Sequence, residues 1–103
     1  ETRIALIGII VENPDSVEQL NHLLHEYGSF IVGRMGIPYE KKNVNIISVA
    51  IDAPQDIISA LSGRIGRLDG IGVKTVYSKN KADQTTGESM TDNTAIIKII
   101  DEI

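Results

Sequence analysis

The hydrophobic and polar positions of the chain fall into two kinds of segment, short apolar runs and longer amphipathic stretches. The apolar runs are rich in Ile and Val, which is typical of β-strands. In the amphipathic stretches apolar residues recur every three or four positions, which is typical of helices. The pattern predicts strands over residues 3–11, 29–37, 44–52 and 71–78, and helices over residues 13–28 and from 53 to about 67.

Residues suited to helix ends support both predicted helices. Asn13 is a good N-cap, Pro14 suits a first helical position, and Asp15 favours the positive end of the helix dipole. Gly28 is a typical C-terminal stop, and Pro54 lies near the first turn of the second helix. The residue types at the helix ends therefore support the same helix bounds as the periodicity.

The predicted order of elements is β-α-β-β-α-β, and the two halves repeat each other. "VENPDSV" (residues 11–17) and "IDAPQDI" (residues 51–57) align with a constant spacing around Pro. Order and repeat together predict an α+β, ferredoxin-like domain over residues 1–79, in which two helices cover one face of a four-stranded antiparallel sheet.

Both faces of the first strand are apolar, although two helices can cover just one face of the sheet. Ile4, Leu6 and Ile10 alternate with Ala5, Ile7, Ile9 and Val11. An uncovered apolar face on a small domain indicates an association surface, and symmetric self-association is its commonest use. We therefore expect a homodimer or homotetramer, with Ile7 and Ile9 at the interface. The alternative is that the C-terminal tail folds back over this face.

The second helix carries small residues on the side opposite its apolar stripe. Two of them are glycines, each of which weakens a helix by about 1 kcal/mol relative to alanine. Such a side permits close approach of another backbone or a ligand. The members of this side, which we also predict to lie at an interface, are Ser59, Ser62, Gly63 and Gly66.

Composition narrows the possible functions. The chain has 103 residues, 42% of them hydrophobic, and a net charge of −4, which argues against a domain that grips nucleic acid through its phosphates. It contains no Cys, so disulfides, thiolate catalysis and cysteine metal sites are excluded. No apolar run is long enough to cross a membrane or has the pattern of a signal peptide, so a cytoplasmic location is the expectation.

Few residues suggest catalysis or metal binding. His22 and His25 lie on the polar side of the first helix with Glu18 one turn earlier, a weak candidate metal site that lacks a further strong ligand. Neither His has a paired nucleophile in a recognisable motif. We therefore expect no enzymatic activity, no cofactor and no resident metal.

A small effector is the more plausible ligand. The loop of Asn13, Asp15 and Ser16 opens a helix, whose free N–H groups can receive an anion, although simple helix capping also explains these residues. The positively charged candidates are Arg34, Arg64 and Arg67. They suit an anionic effector or acidic groups across an interface, and simple solvation is the alternative; pairing across an interface is the interpretation we prefer.

The C-terminal part of the chain has a different character. Residues 80–93 are polar and unpatterned, as in a flexible linker. Residues 94–103 place Ile96, Ile99, Ile100 and Ile103 on one side of a possible amphipathic helix. We expect this helix to pack on a neighbouring subunit, or the chain to be cut from a longer one.

Three segments of the sequence resemble known protein families. "IALIGIIVENPDSVEQLNHLLHEYGSFI" is similar to the first half of an ACT-type regulatory domain. Together with "RMGIPY" (residues 34–39) and "ALSGRIGRLDGIGVKTVYSK" (residues 60–79), it resembles a small family of proposed regulators of the iron-only hydrogenase system. The resemblance covers residues 3–79 and implies an ACT-like fold, dimers or tetramers, and a regulatory role without catalysis. It also implies an effector bound at a subunit interface near the first helix.

Two hypotheses of function follow. In the first, the chain is an oligomeric regulatory domain whose effector binds between subunits and shifts their arrangement. In the second, it is an assembly module that binds itself or another protein without a small ligand.

Overall fold

The computed structural model describes residues 1–79 of the protein. In chain order, the regular elements of this range are β1 (Arg3–Val11), α1 (Val17–Glu26), β2 (Ile31–Tyr39), β3 (Val44–Ala53), α2 (Gln55–Gly66) and β4 (Ile71–Tyr77). Single 3-10 turns precede α1, follow it, and join β2 to β3. The predicted linker at residues 80–93 and the predicted helix at residues 94–103 lie outside the described residues.

The four strands form one antiparallel sheet in the order β2-β3-β1-β4. Strand β1 lies inside the sheet, where Gly8 is opposite Ser48 of β3 on one side and Lys74 of β4 on the other. A β-α-β-β-α-β chain with this strand order is the ferredoxin-like arrangement, so the predicted fold class is confirmed.

The hydrophobic core lies between the sheet and the two helices. The odd-numbered residues of β1 from Ala5 to Val11 and of β3 from Ile47 to Ala53 are buried in it, and Ile7 and Val49 are buried completely. Leu20 of α1 and Leu61 of α2 are fully buried from the other side. These aliphatic side chains supply the apolar burial that stabilises the fold, in a chain with few aromatic residues.

The second strand begins and ends two residues later than its pattern predicts. Gly28–Phe30 form a 3-10 turn after α1, so the strand begins at Ile31. The strand continues through Pro38 to Tyr39. Because β2 is at the edge of the sheet, the missing N–H of Pro38 is tolerated there.

Candidate functional site

The side of the sheet away from the helices is largely apolar, and no described residue covers it. We call it the open sheet face. Ile10 is 40% exposed and Ile4 56% exposed, although both are large aliphatic side chains. By strand alternation and register, the open sheet face comprises Ile4, Leu6, Gly8 and Ile10 of β1, Met35 and Ile37 of β2, Ile46, Ser48, Ala50 and Asp52 of β3, and Gly72, Lys74 and Val76 of β4.

A groove of about 510 Å³ runs across the open sheet face, between side chains that include Leu6, Ile46 and Val76. Gly8 and Gly72 also line it, and their missing side chains leave room above the backbone. The sequence indicated that this sheet has a surplus apolar face, and the structure shows where that face is.

Ile7 and Ile9 do not lie on the open sheet face, so their predicted position at an interface is corrected. Both are buried against the helices, at 0% and 1% exposure. Because β1 is apolar on both sides, alternation identified two faces without showing which one the helices cover. The exposed apolar residues of β1 are Ile4 and Ile10 instead.

Ser48 is the polar side chain in the middle of the open sheet face. It is 3% exposed, with Gly8 opposite it on β1 and Met35 opposite it on β2. Its hydroxyl has no hydrogen-bond partner among the described residues. An unpaired buried hydroxyl costs about 1–3 kcal/mol. A partner on the open sheet face could therefore gain a hydrogen bond here.

The small-residue side of α2 is partly used within the chain. The hydroxyl of Ser62 is hydrogen-bonded to that of Thr75 in β4, at 2.6 Å. A Cβ at Gly66 would lie 3.2 Å from Cγ1 of Val73, so this glycine lets α2 approach β4. Two of the four predicted interface positions on α2 therefore pack against the chain's own edge strand.

The other two members of this side are exposed. The hydroxyl of Ser59 accepts a hydrogen bond from Nε2 of Gln55 at 3.1 Å, along the same helix. Gly63 is open, and a Cβ there would lie 3.6 Å from Nη1 of Arg67. That is an ordinary van der Waals distance, so the Arg67 guanidinium lies against the helix beside Gly63.

The loop before α1 is bound to the turn before β4. The Asn13 side chain accepts a hydrogen bond from the Asp15 N–H at 3.0 Å and donates one to Oδ2 of Asp69 at 2.7 Å. The Ser16 hydroxyl donates to the carbonyl of Asp69 at 2.6 Å. Asn13 and Ser16, two of the three predicted effector residues in this loop, are therefore engaged inside the chain as a cap and a tether.

Arg34 of β2 points to the helix side of the sheet, away from the open sheet face. Its guanidinium donates to Oδ1 of Asn21 in α1, at 3.1 Å. Arg34 does not line the cavity that Arg64 and Arg67 share, so the three arginines do not form one cluster.

Arg64 links the two helices. Its guanidinium forms an ion pair with Glu26 at 2.8 Å and donates a second hydrogen bond to that carboxylate at 3.3 Å. It also donates to the hydroxyl of Tyr27 at 3.1 Å. Hydrogen bonding to Arg64 lowers the pKa of Glu26, and the charges of Arg64 and His22 act in the same direction. The same hydrogen bonds raise the pKa of Arg64, so both groups stay ionised near neutral pH.

A second cavity, of about 480 Å³, lies between α1 and α2 and is here called the interhelical cleft. Leu23 and Leu68 give it apolar surface. Its ionisable lining residues are Glu18, His22, Arg64 and Arg67. The sequence analysis named all four of these residues, but as two separate candidates, a metal site and a group of arginines, and the packing of the helices brings them to one cleft.

Metal binding has no further support from the geometry. Among residues 1–79 there is no group of three or more His, Cys, Asp or Glu side chains that could hold a metal ion. His22 lines the interhelical cleft, whereas His25 is exposed and does not line it. Within the same range, neither helix is long and apolar enough to cross a membrane.

Fold and surfaces together define a small ferredoxin-like domain with an uncovered apolar sheet face and a charged cleft between its helices. The chain belongs to the TM1266-like family, described as "Iron-only hydrogenase system regulator, putative", whose model matches residues 3–75. No curated protein matches the chain.

Solved structures agree with this assignment. Uncharacterized protein TM1266 from Thermotoga maritima is 36% identical, with a TM-score of 0.74 over 77% of this chain and 100% of its own. The de novo designed protein Foldit4 (TM-score 0.53, 19% identity) matches over 79% of this chain and all of its own. A formyltetrahydrofolate deformylase from Pseudomonas putida KT2440 (TM-score 0.53, 11% identity) matches over 71% of this chain but 28% of its own. These last two likenesses concern the fold alone.

Proposed function

We propose that the chain is a non-catalytic regulatory domain that self-associates through its open sheet face and whose assembly responds to a small effector. The observation that carries this proposal is the apolar groove on the open sheet face, uncovered within residues 1–79. The description of the family as a regulator of the iron-only hydrogenase system supports the regulatory role.

A second copy of the chain is a suitable occupant of this surface. Apolar faces of two sheets pack about 10 Å apart, and Gly8 and Gly72 allow such an approach over β1 and β4. Within residues 1–79 the open sheet face carries one charged side chain of each sign, Asp52 and Lys74. A second copy therefore meets no excess of like charge.

Sedimentation analysis of the full chain over a range of concentrations tests this proposal. The wild-type protein should sediment as a dimer or larger assembly. The Ile10→Glu variant should sediment as a monomer, and its circular dichroism spectrum should be the same as that of the wild type. A charge at Ile10 has to be desolvated if two open sheet faces meet, which is costly.

Ala60→Glu is the matched control. It adds the same charge at an exposed position of α2, on the other side of the molecule, and should leave the assembly unchanged. A wild-type monomer at every concentration would contradict self-association and would favour the alternative, in which the open sheet face binds a different protein. Equal loss of assembly in both variants would show that added charge, rather than this face, is responsible.

A further inference from the structure

The interhelical cleft combines positive charge with apolar surface. α1 contributes His22 and Leu23, and α2 and the residues after it contribute Arg64, Arg67 and Leu68. Its volume of about 480 Å³ falls in the range of roughly 300–1,000 Å³ that is usual for small-molecule sites. The cleft is on the helix side of the molecule, away from the open sheet face.

The two arginines of the cleft differ in their pairing. Arg64 is held by Glu26 and Tyr27, so its position is fixed and much of its charge is compensated. The Arg67 side chain has no hydrogen bond or ion pair with any residue between 1 and 79. Arg67 is thus a guanidinium with its donors free, next to a second guanidinium that is already oriented.

The Arg67 guanidinium lies against α2, beside Gly63. A Cβ at this position would lie 3.6 Å from Nη1 of Arg67, so the guanidinium lies close to the surface of α2. Arginine presents its N–H groups in a fixed planar fork that matches the oxygens of a carboxylate or phosphate. The carboxylate that lines the cleft, Glu18, forms no ion pair with Arg67.

We infer that the interhelical cleft binds a small organic anion, with its carboxylate or phosphate oxygens on Arg67 and its apolar part against Leu23 and Leu68. Arg64 and His22 add hydrogen-bond donors at the side of the same site. This inference supplies a ligand class for the effector in the proposed function. The binding itself needs one copy of the chain and does not depend on self-association.

Titration of the full chain with phenyl phosphate, followed by two-dimensional amide NMR and calorimetry, tests the inference. Phenyl phosphate should bind saturably with a Kd of about 1 mM or tighter, and the largest shifts should lie in α1 and α2. Inorganic phosphate, which lacks the apolar part, should bind more weakly, and phenol, which lacks the anion, should not produce these shifts.

Arg67→Ala should weaken the binding of phenyl phosphate by about tenfold or more. The matched control is Lys41→Ala, which removes one exposed positive charge in the turn between β2 and β3, at a residue that does not line the cleft. It should change the Kd by less than about twofold, because an exposed charge that does not contact the ligand is screened by water and salt. Equal weakening in both variants, or shifts spread over the sheet, would overturn the inference.

Repeating the titration on Ile10→Glu separates this inference from the proposed function. If that variant is monomeric and still binds phenyl phosphate, the cleft is a site of the single chain. If wild-type protein does not bind the probe at all, the inference fails while self-association can still hold.

Discussion

At the scale of single residues, Gly70 is the position where the backbone conformation most clearly requires one residue type. Its φ is +70°, in the left-handed region that other residues rarely adopt, and a Cβ there would lie 2.6 Å from Cβ of Asn13. Its carbonyl also accepts a hydrogen bond from the N–H of Glu12 at 2.7 Å. The turn before β4 thus requires glycine both for its conformation and for its contact with the loop after β1.

Gly70→Ala should therefore lower the free energy of unfolding by about 1–3 kcal/mol. Gly63→Ala is the matched comparison, because its Cβ has ordinary space on the exposed side of α2. It should raise the free energy of unfolding by about 0.5–1 kcal/mol. Urea denaturation of both variants measures these changes, and equal stability of Gly70→Ala and wild type would show that the turn adapts.

Residue type alone predicted some of these positions better than others. Asn13 was predicted as a helix cap, and its side chain does accept from the N–H of Asp15. The partners of Ser62 and Arg64 could not be predicted, because Thr75 and Glu26 lie 13 and 38 residues away in the sequence. A helical wheel gives the direction of a side chain but not the element that it meets.

At the scale of elements, the link between the end of α1 and α2 depends on the ionisation of Glu26. The pKa of this carboxyl is lowered in the folded chain, mainly by its hydrogen bonds with Arg64. A carboxyl with a lowered pKa stabilises the folded state above its unfolded pKa, about 4.3. That contribution is lost as the pH falls through the lower, folded pKa.

Glu26→Gln should accordingly lower the Tm at pH 7 and have little effect near pH 2, where the wild-type carboxyl is also protonated. The effect should be small and should shrink at high salt, because both side chains are exposed. Thermal melts at the two pH values measure it. In an Arg64→Gln background, Glu26→Gln should change the Tm equally at the two pH values. If its effect on the Tm still depends on pH, a different partner of Glu26 is responsible.

The elements themselves were largely predictable from the sequence. β1 has the predicted bounds, because a continuous Ile- and Val-rich run ends at a Pro-containing loop. The bounds of β2 were shifted, since a 3-10 turn at Gly28–Phe30 has no distinctive pattern and Pro38 is usually read as a strand end. The covered face of β1 was not predictable, because Ile7 and Ile10 are equally apolar and only the helices distinguish them.

At the scale of the whole molecule, residues 1–79 contain a complete sheet, both covering helices and the core between them. The relative TM1266 is matched over its entire length by 77% of this chain. We therefore expect residues 1–79 to fold independently.

A fragment of residues 1–79 should fold cooperatively and melt within a few degrees of the full chain. Circular dichroism melts and amide NMR spectra of both proteins at equal concentration measure this. A fragment that is unfolded, or much less stable, would show that residues beyond 79 supply part of the stability.

The outer edge of β2 limits how copies of this chain can polymerise. Pro38 offers no N–H along that edge, and the register with β3 shifts between Ile31 and Gly33, as at a β-bulge. A filament built by adding sheets edge to edge needs two usable edges on every copy, and a Pro and a bulge make one of them a poor template. Hydrogen bonding through the remaining edge, β4, would stop at a pair, so edge-to-edge growth into an endless fibre is disfavoured.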